Sequence, residues 1–182
     1  SYIIITMELL IDEYFLKVAL PIITNENYKS MKNYVAHGCY SVYDHSIRVA
    51  VHAYSYARKR KLNLDYKSLI MGCLLHDFYL YDWHHAHEGH RFHGFRHPFT
   101  ALMKAKKIYK LNAKVCNMIQ SHMFPLVFWV LPLSKEAWIL TLSDKKCAYL
   151  EHKTIKAMKK IEKISRKKKQ AEPRIEESYR PV

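Results

Sequence analysis

His76 and Asp77 end a strongly apolar stretch, Leu74-Leu75-His76-Asp77, and Asp144 sits within another, Leu142-Ser143-Asp144-Lys145. His45, His97 and His122 each fall on or beside a segment with helical periodicity. Imidazoles and carboxylates in that setting are ligands for Fe, Mn, Zn or Ni. An unpaired carboxylate is costly to bury, and two buried carboxylates repel one another unless a cation lies between them. A divalent metal removes both penalties at once. The alternative is that Asp77 and Asp144 are satisfied by Arg48, Lys145 or helix N-termini. Twelve histidines carry no weight as a count; the apolar context of these few does.

The elements that must position these residues are helical nearly throughout. Apolar residues from Met7 to Leu20 recur at three-to-four spacing up to Pro21. Asp44 is a candidate N-cap for a helix to about Lys61, with His45, Val49, His52 and Tyr56 on one face. Asp65 caps the next, which delivers His76 and Asp77 at its last turn. Pro98 suits the first position of a helix from His97 to about Leu111. Asn112 caps a short helix that ends on His122, and Ser134 starts a long one with Asp144 in its interior. That helix either continues or breaks before the basic segment, where Ile155, Met158, Ile161 and Ile164 mark an apolar stripe. No strand-like alternation stands out, and the tail from Gln170 to Val182 is expected to fray.

The bulk numbers agree. A chain of 182 residues with 49% hydrophobic content is long enough for one domain with its own core, and 4 Gly with 6 Pro speak against a loop-rich β fold. The expectation is an all-α, single-domain helical bundle. Cys39, Cys73, Cys116 and Cys147 form no C-x-x-C pair, so reduced thiols and a cytoplasmic location are expected. Tyr2 to Ile5 is too short an apolar run for a signal peptide, and the run from Met123 to Ser134 is too short to span a membrane. The formal charge of +14 is concentrated: Lys153 to Lys169 holds nine Lys/Arg against Glu162 alone. Such an excess suits an anionic partner, either a phosphorylated small molecule or nucleic acid, or else it is a solvated helix face.

The order His45, His76-Asp77, Asp144 on successive helices resembles the HD-domain superfamily of metal-dependent phosphohydrolases, over about residues 40 to 150. The resemblance implies an all-α bundle of the HD-domain type, with those four residues binding a first metal. His97 and His122, lying between Asp77 and Asp144, match the two-metal branch. There Asp77 would bridge the metals and His97 and His122 would bind the second. The otherwise bland readings are an N-cap role for His97 and a core or surface position for His122. The division expected is an N-terminal helical segment over 1–35, the metal-binding domain over 36–152 and a basic amphipathic helix with a frayed tail over 153–182.

Two cations roughly 3.5–4 Å apart activate water and clamp both oxygens of an in-line displacement at phosphorus. The reaction implied is hydrolysis of a phosphate ester or anhydride, with a nucleotide as the substrate class. Asp77, Lys145 and Arg48 are the catalytic candidates; Lys145 points either beside the metal or to solvent. From Phe78 to Arg96 the pattern breaks into an aromatic, histidine-rich segment that would overhang the site as a loop. Trp83, His84, His93 and Arg96 are its candidate substrate-binding residues, set against a polar lid or an adventitious zinc patch. The Gly-Tyr-Pro run of the cyclic-dinucleotide branch is absent: Phe78-Tyr79-Leu80 follows instead. Two other function classes stay open. A diiron oxygenase would use the same ligands, and a non-enzymatic nucleic-acid or membrane-surface binder would use the basic helix. The apolar run Phe124 to Leu133 is core, lid or interface, and the oligomeric state is open.

Overall fold

The computed structural model describes residues 11–78 and 93–171, the side chains of 93, 94 and 168–171 excepted. Among them are seven α-helices, one 3-10 turn and one two-stranded hairpin, so the fold is all-α in class. The N-terminal helix α1 is Glu13–Ile23, capped by Asp12, whose carboxylate accepts from the Phe15 N–H at 2.9 Å. It runs through Pro21 rather than stopping there. A proline in the last turn removes a single bond near an end that already leaves carbonyls free. Residues 7–10 of the expected span lie outside the described residues.

A short helix α2, Glu26–Lys29, and the 3-10 turn Ser30–Asn33 lead into an antiparallel hairpin, β1 Val35–His37 and β2 Tyr40–Ser41. The sequence reading contained no strands, and this pair corrects it: segments of three and two residues are too short for alternation to register. Gly38 turns the hairpin at φ +60°, a left-handed backbone that suits glycine. A Cβ there would also lie 2.5 Å from Ile155 Cδ1, so the hairpin tip sits flush on the C-terminal helix.

Helix α3, Val42–Lys59, is capped by Ser41 and not by the expected Asp44. The Asp44 N–H donates to Ser41 Oγ at 3.1 Å, and the Ser41 hydroxyl donates back to Asp44 Oδ2 at 2.6 Å. Asp44 is thus the third helical residue, paired with the capping hydroxyl, rather than the cap. Helix α4, Tyr66–Leu75, starts at Asp65 as expected and is central: seven of its ten residues are buried. It touches α1 and α3, and helices α6 (Ala113–Ser121) and α7 (Lys135–Ala171) pack on it as well. Gly72 lets Met118 of α6 approach closely, since a Cβ would stand 2.4 Å from the Met118 methyl.

Helix α5 is His93–Ile108, four residues earlier than the sequence suggested, with Pro98 inside it. Only the N–H that proline lacks is lost, toward the carbonyl of residue 94, near the start of the helix. Asn112 caps α6 through the Val115 N–H at 2.9 Å. Helix α7 is unbroken over 37 residues, which settles its continuation into the basic segment. In the apolar run before it Val127 and Pro132 are buried, whereas Phe128, Trp129, Leu131 and Leu133 are exposed, so most of that run is not core. Trp129 stacks on Phe95 with centroids 6.0 Å apart. No helix among the described residues is long and apolar enough to cross a membrane.

One polar cluster ties the starts of three helices together. The Asp65 carboxylate accepts from the Ser68 N–H at 3.0 Å, Glu136 Oε1 accepts from the Asp65 N–H at 2.7 Å, and Lys114 Nζ lies 3.1 Å from Glu136. Burial opposes ionisation of both acids. The Ser68 donors and Lys114 still hold Asp65 below its usual value, and the Asp65 N–H and Lys114 do the same for Glu136. Carboxyls depressed in the fold stabilise it above their unfolded values and lose that contribution as pH falls through the folded ones. Melting temperature should therefore drop steeply on acidification below about pH 4. Asp65→Ala should remove about 1 kcal/mol at neutral pH, as loss of an N-cap does, and make the acid limb shallower. An unchanged acid limb in that variant, followed by circular dichroism, would remove this cluster from the account.

Candidate metal centre

Six side chains from five helices and their ends meet in the core of the bundle. His45 is in the first turn of α3, and His76 and His122 are the C-cap residues of α4 and α6. Asp77 follows His76, His97 lies one turn into α5, and Asp144 is in the interior of α7. The four histidines are each no more than 5% exposed, and both carboxylates are 13% exposed.

The two C-cap histidines share one local device. His76 Nδ1 lies 2.8 Å from the Cys73 carbonyl, and His122 Nδ1 lies 2.7 Å from the Ile119 carbonyl. A carbonyl only accepts, so each Nδ1 carries the proton and each Nε2 presents a lone pair. The unpaired carbonyls of a helix end thereby fix the tautomer of a residue three positions on. His76 Nε2 is buried without a hydrogen-bond partner and faces Asp77 Oδ2 at 3.5 Å and Asp144 Oδ1 at 3.7 Å. His122 Nε2 lies 2.8 Å from His97 Nε2 and 3.5 Å from Asp77 Oδ1, which is itself 3.2 Å from His97 Nε2.

His45 completes the set from the other side. Its Nε2 is 3.0 Å from Asp144 Oδ1 and its Nδ1 is 2.9 Å from Glu151 Oε2. Burial works against charge on this ring, but the hydrogen bonds to Asp144 and Glu151 raise it to about 10. Burial likewise penalises the Asp144 carboxylate, yet His45 and His76 hold it far below the ordinary carboxylate range. Asp77 is depressed in the same way by His76, His122 and His97.

Ligand atoms fall into overlapping triads, each within 4.8 Å: His45, His76 and Asp77; His76, His122 and Asp144; Asp77, His97 and His122. A divalent metal fits this donor set. A buried lone pair on His76 with no donor is an arrangement that a cation satisfies, whereas the 2.8 Å contact between the His97 and His122 nitrogens is one that a single shared proton can also fill. His76, His122 and Asp77 each belong to two of these triads, so the three groups form one continuous cluster.

The other candidates are placed differently. Lys145 Nζ donates to the His122 carbonyl at 3.1 Å, at the rim of the cluster, and burial lowers its basicity against the opposing pull of Asp144. Arg48 lies over the Tyr40 ring at 4.3 Å with Nε 3.9 Å from Glu151, on the outer side of His45. Arg96 is exposed on the first turn of α5. Trp83 and His84 lie outside the described residues, and so does the His93 side chain.

Glu151 is the residue that sequence reasoning missed. It is 1% exposed, and its second oxygen, Oε1, has no hydrogen-bond partner. A signal existed: it lies seven residues, two helical turns, beyond Asp144 and so on the same face of α7. His37 also approaches the outer side, its ring edge-on to His45 at 5.2 Å. Ser143 pairs with His52 at 3.0 Å and braces α7 against α3 just beside Asp144.

No curated protein and no solved structure matches the chain significantly. The family model for the HD domain matches residues 42–149, a span that takes in every one of the six converging side chains. With more than half of its 182 residues in that match, the chain belongs to the HD domain family.

Proposed function

We propose that the protein is a phosphohydrolase that uses one or two divalent transition ions, Fe, Mn, Zn or Ni, to hydrolyse a phosphate ester or anhydride of a nucleotide. The observation that carries this reading is the convergence of six N/O donors around the partnerless Nε2 of His76 and the shared carboxylate of Asp77. Membership of the HD family, a superfamily of metal-dependent phosphohydrolases, supports the reaction class.

In this reading His45, His76, Asp77 and Asp144 hold the first metal, and Asp77, His97 and His122 hold the second. When bound, the metal supplies Lewis-acid polarisation of the phosphate and an acidic water as nucleophile. The protein's part is preorganisation. The Cys73 and Ile119 carbonyls aim His76 and His122 before any ligand arrives, so little reorganisation remains to be made. Lys145, anchored on the His122 carbonyl, places a cation at the rim where phosphate charge would lie. The net charge of +14 favours encounter with an anion.

The test is metal content of the purified protein by elemental analysis, followed by phosphate release from a panel of nucleotides with each metal reloaded. Two equivalents and metal-dependent phosphate release are expected. One equivalent would remove His97 and His122 from the ligand set. Absence of stoichiometric metal after reloading would overturn the reading, and oxygen consumption without phosphate release would move it to the oxygenase class.

A further inference from the structure

Helix α7 outlasts the bundle it belongs to. Ile155 is its last residue against the fold, seated on Gly38, and every residue from 156 to 167 is exposed. From Ile155 to Ala171 the helix extends roughly 24 Å. A helix exposed over three turns gains little from packing on the described residues, so its composition answers to something else.

Its two sides differ. At about 100° per residue, all seven Lys and Arg between 153 and 167 fall within one arc of roughly 140°. Ile155, Met158, Ile161 and Ile164 occupy the opposite half turn. Met158 is 54% exposed, Ile161 66% and Ile164 48%. Glu162, the only acid of this stretch, is paired within the helix to Arg166.

The chemistry of the two faces selects the occupant. Phosphates of a nucleic acid would engage the cations and leave the apolar side chains in water. A second copy would bury the apolar side, but coiled-coil pairing needs an apolar repeat of 3.5 residues. Here the repeat is three, so each successive residue moves about 60° around the helix and leaves any straight seam within two turns. An apolar arc spread over half the circumference, with lysines on the other half, matches a planar boundary between apolar and anionic layers.

We propose that residues 156–167 dock on an anionic lipid bilayer, lying in the headgroup plane. Met158, Ile161 and Ile164 enter the acyl boundary, and the lysines reach anionic headgroups along their flexible stems. This inference is independent of the metal site, because the segment shares no residue with it.

The experiment is sedimentation of the full chain with phosphatidylcholine vesicles, with and without phosphatidylserine. Binding is expected only when phosphatidylserine is present, and it should weaken with added salt. Each neutralised lysine should weaken it about fivefold, so Lys156→Gln, Lys160→Gln and Lys163→Gln together should cost on the order of a hundredfold. Ile161→Ser with Ile164→Ser should weaken it at least about tenfold, through lost apolar burial. All five positions are exposed, so melting temperature and metal content should be unchanged and certify the fold. Three results would overturn the proposal: no sedimentation with either vesicle; undiminished binding by the serine variant, as for RNA held by charge alone; or a dimer that the serine variant dissociates.

Discussion

Asp77→Ala is expected to empty both metal positions and to lower phosphate-ester hydrolysis by about three orders of magnitude or more, the scale of several kcal/mol of transition-state stabilisation. The reason is topological. Asp77 is the carboxylate that reaches both parts of the cluster, with Oδ2 3.5 Å from His76 and Oδ1 3.2 Å from His97 and 3.5 Å from His122. Without it the His97 and His122 side keeps two imidazoles and no carboxylate, too little to hold a divalent ion tightly. Asn would be a gentler change than Ala, since an amide oxygen still ligates but carries no charge. His97→Ala should behave differently, losing one equivalent and leaving the other. Elemental analysis of the three proteins side by side decides the matter. Two retained equivalents in Asp77→Ala would place the metals elsewhere.

Glu151→Gln is expected to weaken metal binding by about 10- to 100-fold while leaving all six converging side chains intact. Glu151 accepts from His45 Nδ1 at 2.9 Å, which orients the ring so that Nε2 points at Asp144. A carboxylate behind a ligating imidazole raises its basicity and fixes its tautomer, and the amide supplies much less of either. Arg48, with Nε 3.9 Å from the other Glu151 oxygen, contacts the same carboxylate from the outer side. The variant also distinguishes positioning from mere packing. If Glu151 only filled space, Gln would change nothing. If it only stabilised the fold, melting temperature would fall equally with and without metal. The expected result is a smaller metal-induced rise in melting temperature, beyond the fall that the lost His45–Glu151 pair causes in the metal-free protein.

The pattern of apolar residues was enough to identify the bundle, because helical periodicity and the caps at Asp65, Asn112 and Ser134 act within a few residues of sequence. Asp77 and Asp144 could be picked out for a related reason, since a carboxylate in an apolar setting is expensive to bury without a cation, whereas His97 and His122 were legible only through the resemblance to the two-metal branch. Where the reading went astray, the deciding contact was either too short to leave a pattern or came from elsewhere in the fold. Ser41 competes with Asp44 for one helix start three residues away, and the hairpin exists because Val42 and the strand residues pair across a turn that Ile155 covers. Pro21 signals a stop and Pro98 a start to a local reading, but tertiary packing tolerates one missing hydrogen bond near a helix end.

Which residues can ligate and which elements carry them could be read from residue type and spacing, since ligand chemistry and helix periodicity are local properties. Which nitrogen of His45, His76 and His122 faces the centre was settled by the assembled fold, because the carbonyls and carboxylate that fix the tautomers are set by helix ends and by a residue 106 positions away. The fold likewise decided that α7 leaves the bundle after Ile155 with its basic and apolar faces both in solvent, because where a helix loses its last partner depends on where the other helices end.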